Sequence, residues 1–259
     1  MPAALELRGV DKSFGPVHVL KSVSLTANAG DVTALVGDNG AGKTTLIKCI
    51  SGIYRVDAGE LIFNGVPQAV SGPRAAAHLG VEIVYQDLAL CDNLDVVANM
   101  FLGREQLTGV RTLDENTMER QARQALTSLS VRTLRSARQL VASLSGGQRQ
   151  TVAIAKAVLW KSTVVVLDEP TAALGVAQTE QVLELVRRLA DQGVAVILVS
   201  HNMNDVMAVA DSIAVLYLGR MAAQVRRADV TQTQVVELIT TGRSGNLGLP
   251  PAESLGAAL

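Results

Sequence analysis

The chain has 259 residues, of which 48% are hydrophobic and 18% charged, and this composition can bury a sizeable core, which excludes disorder of the whole chain. A net charge of −1 and only 3% aromatic residues give no global basic field and few stacking platforms, so we expect no nucleic acid partner. At about 100–200 residues per domain, the length favours a single compact fold with an insertion.

The beginning of the chain, MPAALELRGVDKSF, carries charged residues where a secretory signal would have an unbroken apolar segment. The longest apolar stretches, Val164–Leu167 and Val194–Val199, are far shorter than the roughly 20 residues that span a bilayer. We therefore expect a chain that stays in the cytoplasm. Two cysteines, Cys49 and Cys91, cannot form a metal cluster by themselves, and we predict both to be small buried hydrophobes.

Short apolar runs separated by turns open the chain, and they predict an antiparallel β subdomain closed by hairpins. The turn Asn64-Gly65 is typical of a hairpin. The predicted strands of this subdomain are Leu5–Val10, Val17–Leu20, Val23–Thr26 and Leu61–Phe63.

A glycine-rich segment, GDNGAGKTT, lies between a strand predicted at Asp31–Val36 and the helical run Leu46–Ile50, and it satisfies G-x-x-x-x-G-K-[ST]. Glycines let backbone N–H groups surround phosphate oxygens, and Lys43 adds a positive charge at a helix N-terminus. Thr44 would offer its hydroxyl to Mg²⁺. A plain glycine-rich turn is the alternative. The predicted phosphate-binding residues are Gly37, Asp38, Asn39, Gly40, Ala41, Gly42, Lys43, Thr44 and Thr45.

Strand signals vanish after a strand predicted at Val81–Tyr85, and residues 114–140 show helical spacing with many Arg and Gln. We therefore predict a helical subdomain over about residues 88–160. The Arg-rich stretch from Arg120 to Arg138 is more typical of a solvated helical face than of a nucleic-acid site.

Two acids, Asp168 and Glu169, follow the apolar run that ends at Leu167. A buried strand of this kind delivers carboxylates to its C-terminal edge, where α/β sheets place ligands. We predict Asp168 as a Mg²⁺ ligand and Glu169 as the general base for an attacking water. Without the phosphate loop, these acids could equally cap a strand.

Two more β-branched runs, Val194–Val199 and Ser212–Leu216, complete an alternation of strands and helices. This alternation predicts an α/β fold with a mainly parallel sheet covered by helices. Residues 241–259 contain a Pro pair and no periodic apolar face, so we predict one domain over residues 1–240 and a flexible tail after it. The absence of an internal repeat excludes a solenoid.

The segment LSGGQRQ, Leu144 to Gln150, resembles the signature of ABC-type ATPases, and it lies between the phosphate loop and the two acids in the family's order. The resemblance covers about Leu5 to Gln224 and implies a P-loop NTPase that binds ATP and hydrolyses it. It also implies that four signature residues bind nucleotide: Ser145, Gly146, Gly147 and Gln148.

Three further residues match positions of that family, and the resemblance implies their roles. Gln86 matches the glutamine that senses Mg²⁺ and the attacking water, His201 the switch histidine, and Phe14 the aromatic that stacks on adenine. Phe14 could equally be a core aromatic. His18 and His78 belong to no motif.

Longer stretches resemble the ATPase subunits of bacterial monosaccharide importers, most specifically FLGRE from Phe101 to Glu105 and TAALGV from Thr171 to Val176. This resemblance implies ATP-driven sugar uptake at the cytoplasmic face of the plasma membrane. It also implies permease subunits and, indirectly, a periplasmic sugar-binding protein as partners. Because the chain carries one set of motifs, two copies would assemble as a homodimer.

A soluble ABC-type ATPase of DNA repair or translation is the alternative. The first would need a long coiled-coil insertion, yet only about 100 residues separate Lys43 from Leu144, without sustained heptads. The second would carry two domains and a basic linker. Gly175 departs from the family pattern, because most members have an acid at this position. The resemblance therefore assigns this chain no role for that acid in communication across the dimer.

Apolar residues are frequent in Asp87–Glu105, directly after Gln86, and they predict a groove for a helix of a membrane partner. Packing of the helical insertion against the sheet is the alternative interpretation. The residues concerned are Leu88, Leu90, Leu94, Val97, Met100, Phe101 and Leu102.

Overall fold

The computed structural model describes residues 3–109, 111–129, 134 and 136–243. The strands in these residues are β1 (Leu5–Phe14), β2 (Val17–Ala27), β3 (Val32–Val36), β4 (Ala58–Phe63), β5 (Val66–Gln68), β6 (Val81–Val84), β7 (Val164–Asp168), β8 (Ala195–Val199), β9 (Ser212–Tyr217) and β10 (Arg220–Arg226). The α-helices are α1 (Lys43–Ile50), α2 (Pro73–His78), α3 (Val96–Phe101), α4 (Glu115–Ser128), α5 (Gly146–Leu159), α6 (Val176–Asp191), α7 (Met203–Val209) and α8 (Gln232–Thr241). No helix in this part of the chain combines the length and the apolar character that a membrane crossing requires.

The N-terminal strands form an antiparallel sheet in the order β2-β1-β4-β5, as the sequence predicts. β2 is one strand where the sequence suggested two, Val17–Leu20 and Val23–Thr26. The residues between them stay in the strand because the β1–β2 register shifts there, with Ser22 at a φ of 52° and its N–H donating to Asp11. A bulge of this kind absorbs an extra residue without ending the pairing.

A second sheet of six strands has the order β10-β9-β3-β8-β7-β6. Every neighbouring pair in it is parallel except β9 and β10, which confirms the predicted mainly parallel sheet. Strand β10, RMAAQVR, was not predicted because it is a polar edge strand without a continuous apolar run.

Alternate residues of the central strands face two different cores, because successive side chains of a strand point to opposite faces. On β7, Val164 and Val166 pack with α1 and the antiparallel sheet, whereas Val165 and Leu167 pack with helices α3 to α6. Cys49 lies in the first core as predicted, and burial raises the pKa of its thiol to about 11. Cys91 is only partly buried, and both thiols are free.

The predicted helical insertion contains α3, α4 and α5, but the helix predicted through residue 140 is too long, because α4 ends at Ser128. Arg138 lies in a turn beyond it, where its guanidinium contacts Glu119 at 2.8 Å and Asp95 at 3.3 Å. The prediction of a solvated helical face is therefore wrong for Arg138.

The predicted docking groove after Gln86 is wrong for its three central residues, Val97, Met100 and Phe101, which are at most 1% exposed in the core. The Phe101 ring packs edge-on against Trp160, with ring centroids 5.5 Å apart. Leu88 and Leu90 are half-buried against the same core, and Leu102 is the member that remains exposed. The alternative interpretation, packing of the insertion, accounts for most of this segment.

Candidate functional site

A cavity of about 370 Å³ opens where the phosphate loop meets the carboxyl ends of β7 and β8. It brings together residues of the predicted phosphate loop, the predicted glutamine and both predicted acids. Its lining residues are Val19, Asn39, Gly40, Gly42, Lys43, Thr44, Thr45, Gln86, Asp168, Glu169 and Val199.

Two glycines of the phosphate loop are required by its backbone. Gly37 follows β3 with a φ of 156°, and a Cβ there would overlap the carbonyl oxygen of Leu216. Gly42 precedes α1 with a φ of 109°, and a Cβ there would lie 2.9 Å from the Leu20 side chain. L-residues with a side chain rarely adopt these conformations, so the loop shape depends on glycine at both positions.

Lys43 is the first residue of α1, and its side chain turns back over the loop. Its Nζ donates to the carbonyl oxygens of Gly37 at 2.7 Å and Asp38 at 3.0 Å. The ammonium thus lies beside the loop backbone, where it can meet a phosphate group.

The two acids differ in backbone conformation and in environment. Asp168 ends β7, and burial together with the neighbouring charge of Glu169 raises the pKa of its carboxyl, against the opposing effect of Lys43. Glu169 adopts a φ of 51°, in the left-handed region, and its N–H donates to the Val199 carbonyl at 2.9 Å. Such backbone conformations cost about 1–3 kcal/mol for residues other than glycine, and they cluster at functional sites.

The oxygen donors of this cavity suit a magnesium ion. Thr44 supplies a hydroxyl, Gln86 an amide carbonyl and Asp168 a carboxylate, and oxygen ligands are what Mg²⁺ requires. Among the described residues no three His, Cys, Asp or Glu side chains group together as a metal cage. Mg²⁺ is usually held by one or two carboxylates plus substrate phosphates, and Asp168 lines this cavity with one carboxylate.

His201 follows β8 and reaches Glu169, with 2.8 Å between His201 Nδ1 and Glu169 Oε2. The imidazole is 75% exposed on the side of a neighbouring cavity of about 390 Å³. That cavity is lined by Gly37, Asp38, Asn39, Ser200, His201, Met203 and Ile239. The predicted switch histidine and general base are therefore in contact at the edge of the phosphate loop.

A second contact joins the same two loops deeper in the protein, and the sequence did not single it out. Thr171 Oγ1 donates to Asp205 Oδ2 at 2.6 Å, and Asn202 Nδ2 donates to Asp205 Oδ1 at 3.0 Å. Asp205 is 5% exposed. Its place four residues after His201 is the only sequence signal, and a single sequence does not show that this acid is buried.

The signature residues lie at the beginning of α5, outside the residues that line these two cavities in the described part of the chain. Ser145 is the N-cap, and its side chain accepts from the Gln148 N–H while the Gln148 amide accepts from the Ser145 N–H. This capping box fixes the first turn of the helix. Ser145 and Gly146 are exposed, so this end of α5 is open to a ligand or a partner.

The helix after Gly175 begins beside the signature. A Cβ on Gly147 would lie 3.2 Å from the side chain of Gln178, and the Gln178 amide accepts from the Gly175 N–H at 3.1 Å. The side chain of Gln178 therefore caps the helix at Gly175, the position where most of the resembling family has an acid.

Phe14 ends β1 and does not line either of the two cavities within the described residues. Its ring packs edge-on against Tyr54, with centroids 5.0 Å apart, and Lys12 Nζ lies 5.5 Å from its centroid. The ring is 42% exposed, so stacking on adenine stays a prediction.

The amino-acid sequence matches the family model described as ABC transporter over residues 20–172. It is 41% identical to the xylose/arabinose import ATP-binding protein of Sulfolobus acidocaldarius, over 96% of this chain and 98% of that protein. It is also 41% identical to the fructose import ATP-binding protein of Rhizobium meliloti, over 98% of each. A ribose import ATP-binding protein of Rhizobium etli is 38% identical, and the match spans 92% of this chain but 46% of that protein.

The fold is similar to solved structures as well. A nucleotide-free ATP-binding cassette from an ABC transporter gives a TM-score of 0.80 at 25% identity, covering 91% of this chain and 98% of that one. The ADP conformation of another such cassette gives 0.79 at 24% identity, covering 93% and 96%, and supports the fold alone.

Proposed function

The chain belongs to the ABC transporter family, and from this membership we propose that it hydrolyses ATP to power the uptake of a sugar through separate membrane subunits. Similarity over 98% of the length of two sugar import ATP-binding proteins carries the proposal. Since the relatives named above are import subunits for xylose and arabinose, fructose or ribose, we infer a monosaccharide as cargo. They do not favour the alternative of a DNA-repair or translation ATPase.

In the proposed site, the phosphates of ATP bind the backbone N–H groups of Gly37 to Thr45. Lys43 Nζ then exchanges the carbonyls of Gly37 and Asp38 for phosphate oxygens. Thr44, Asp168 and Gln86 would hold Mg²⁺, which supplies positive charge against the phosphates when bound. Phe14 would stack on the adenine ring.

Hydrolysis in this site needs a water held in line with the γ-phosphate. Glu169 is the proposed general base, because its carboxylate lines the same cavity as Lys43 and Thr44. His201 contacts that carboxylate at 2.8 Å and would orient it, and Gln86 would position the water from the opposite loop. General base catalysis contributes typically about 10²–10⁴-fold to a rate.

Completion of the site requires a second copy in this proposal. Ser145, Gly146, Gly147 and Gln148 lie at the start of α5, where Ser145 and Gly146 are exposed, and this exposure supports a role against the nucleotide of a partner subunit. Backbone N–H groups and the helix dipole at a helix N-terminus favour phosphate oxygens. We further propose one ATPase domain over residues 1–240, with residues 241–259 as a flexible tail that lies mostly outside the described residues.

The named relatives imply membrane permease subunits as partners of this chain. We propose that it binds them at the cytoplasmic face of the plasma membrane, where ATP is available. A periplasmic sugar-binding protein would deliver the cargo from the other side without touching this chain.

Replacing the proposed base tests the chemistry. We expect Glu169→Gln to lower kcat for ATP by about 100-fold or more with little change in the Kd for ATP, because the amide cannot accept the water proton. Lys43→Ala should lose ATP binding itself. Steady-state ATPase assays and titration with a fluorescent ATP analogue measure both quantities, and Glu184→Gln, which changes an exposed acid on α6, is the control.

The same variants test the transport proposal in cells that produce this chain with its membrane subunits. Uptake of labelled xylose, fructose or ribose should stop with Glu169→Gln and continue with Glu184→Gln. Equal loss of ATP affinity in Glu169→Gln and Lys43→Ala would contradict the assigned roles, and sugar uptake that persists although Glu169→Gln has lost ATP hydrolysis would contradict the transport function.

A further inference from the structure

We propose that Asp205 is a positioning residue for hydrolysis, which holds His201 at the distance from Glu169 that the reaction needs. The inference rests on the proposed function, because it assigns a role relative to the proposed base. The observation that carries it is a buried carboxylate that bridges the two loops on which Glu169 and His201 lie.

Asp205 bridges these loops through both of its carboxylate oxygens. One accepts from Thr171, two residues after Glu169, at 2.6 Å, and the other accepts from Asn202, the residue after His201, at 3.0 Å. The residue is 5% exposed, in the first turn of α7. Hydrogen bonds to a buried charged group are about twice as strong as those between neutral groups, so the bridge is rigid.

The backbone on both sides of His201 is fixed by this arrangement. Asn202 donates its backbone N–H to Ser200 Oγ at 3.0 Å, and its side-chain oxygen accepts from the Asn204 N–H at 3.0 Å. The Asn202 amide group can therefore face Asp205 in one orientation only. The His201 imidazole is 75% exposed and contacts Glu169 through Nδ1, and the His201 backbone N–H donates to Glu169 Oε2 at 3.4 Å, so the position of the imidazole depends on the backbone contacts of this loop.

Two contacts thus span the gap between the loops after β7 and β8. The outer contact, Glu169 with His201, faces the cavities, and the inner contact joins the half-buried Thr171 to the buried Asp205. The outer pair must exchange partners when ATP and water bind. The inner pair has no such task, and it keeps the loops at a fixed separation while the outer pair reacts. Displacement of a catalytic group by about 1 Å can cost roughly 100-fold in rate.

Variants at Thr171 test the proposal without removing the buried acid. Thr171→Val keeps the shape and loses the hydroxyl, and we expect kcat to fall about tenfold or more while KM for MgATP stays within about twofold. Thr171→Ser keeps the hydroxyl and should retain the wild-type kcat. Asp205→Ala should act like Thr171→Val, and circular dichroism with thermal unfolding establishes that each variant is folded.

Coupling with His201 separates positioning from loss of stability. If Asp205 acts through His201, then Thr171→Val should change the single-turnover rate less than about twofold in a His201→Ala background. Asp211→Asn is the matched control, because Asp211 accepts from Val32 and Arg187 away from the cavity. It should lower Tm without changing kcat.

The outcomes also separate this inference from the proposed function. An unchanged kcat in Thr171→Val, or full additivity with His201→Ala, overturns the positioning role while Glu169→Gln still abolishes hydrolysis. Retention of hydrolysis in Glu169→Gln overturns the role of Glu169 as general base, and absence of ATP hydrolysis by the wild-type chain overturns the proposed function itself. A loss of kcat shared by Thr171→Val and Thr171→Ser also contradicts the proposal, because the hydroxyl would then not matter.

Discussion

At the scale of single residues, Asp168 is the group whose charge the folded chain disfavours at the site. Burial raises the pKa of its carboxyl first, and the charge of Glu169 raises it further. A group whose pKa is higher in the folded chain than in the unfolded chain stabilises the folded state at low pH. This stabilisation is complete below the pKa of the unfolded chain and is lost as the pH rises through the pKa of the folded chain. Near neutral pH the ionised Asp168 therefore weakens folding until a cation binds.

The neutral variant Asp168→Asn tests this electrostatic cost. Without Mg²⁺ and ATP we expect it to unfold at a higher temperature than the wild type near pH 7, and the difference should vanish as pH falls to about 4. With MgATP the order should reverse, because the variant lacks the anionic ligand. Thermal unfolding followed across pH, with and without MgATP, measures both effects.

Asp114 provides a control with the opposite sign. The Thr117 N–H bond holds the pKa of this α4 N-cap carboxyl below its usual range. Asp114→Asn should therefore destabilise near pH 7, and its effect should fade as pH falls through that lowered pKa. If Asp168→Asn instead destabilises the protein without ligand, the proposed cost of its charge is wrong.

Residues whose role follows from fixed spacing could be predicted from the sequence, and those that act through burial could not. Lys43 and Thr44 were predicted because the loop geometry requires them next to two constrained glycines. Asp205 was missed because its partner Thr171 lies in another loop, and Gln178 was missed because its partner is the backbone N–H of Gly175, which no side-chain motif marks.

At the scale of elements, α3 was predicted as a surface for a partner and is instead a core helix. Its apolar residues looked too numerous for one helix face, but the helix is six residues long and is covered on several sides. Phe101 reaches Trp160 at the end of α5, a contact 59 residues away in sequence. Such distant contacts leave no local pattern.

We therefore expect Phe101→Ala to destabilise the chain by about 3–5 kcal/mol, since a fully buried aromatic leaves a cavity. Leu102→Ala, at an exposed neighbour, should change stability by less than about 0.5 kcal/mol. Urea unfolding of both variants measures the difference. Similar free energies of unfolding for Phe101→Ala and Leu102→Ala would contradict the core assignment of Phe101 and would support its predicted role in binding a partner.

The ends of helices also depend on contacts that a local sequence pattern does not show. The helical pattern of residues 114–140 does not reveal where α4 ends, because Arg138 is held by Glu119 and Asp95 from the turn beyond it. In contrast, β7 and β8 were predicted almost to the residue, because strands buried on both faces are continuous apolar runs.

At the scale of the whole molecule, the antiparallel N-terminal sheet and the mainly parallel second sheet confirm the prediction, whereas the order of strands within each sheet was not predicted. The exposed start of α5 and the cavity at Lys43 belong to one chain, yet the signature residues do not line that cavity within the described part of it. The proposed homodimer resolves this separation with two composite sites related by a two-fold axis.

Mixed subunits test the composite site. Lys43→Ala and Ser145→Arg should each be inactive alone, but an equal mixture should recover about one quarter of the wild-type ATPase rate. Half of the randomly formed dimers are mixed, and each mixed dimer has one intact site. Steady-state ATPase assays of the mixture at increasing protein concentration provide the measurement.

Mixing Lys43→Ala with Glu169→Gln is the matched control, because both residues line one cavity of one subunit. No mixed dimer then has an intact site, so activity should not return. No recovery with Ser145→Arg would place the signature and the phosphate loop of one subunit at the same nucleotide, and recovery in the control would place Lys43 and Glu169 at different nucleotides.

The contact of Lys43 with the Gly37 and Asp38 carbonyls makes phosphate binding an exchange reaction. The ammonium gives up two oxygens of its own loop for oxygens of the ligand, so the net gain is smaller than the number of new contacts suggests. Lys43→Ala removes both sides of this exchange, leaving two loop carbonyls without their cation. The affinity lost in that variant therefore combines a missing attraction with a loop that has lost its internal counter-charge.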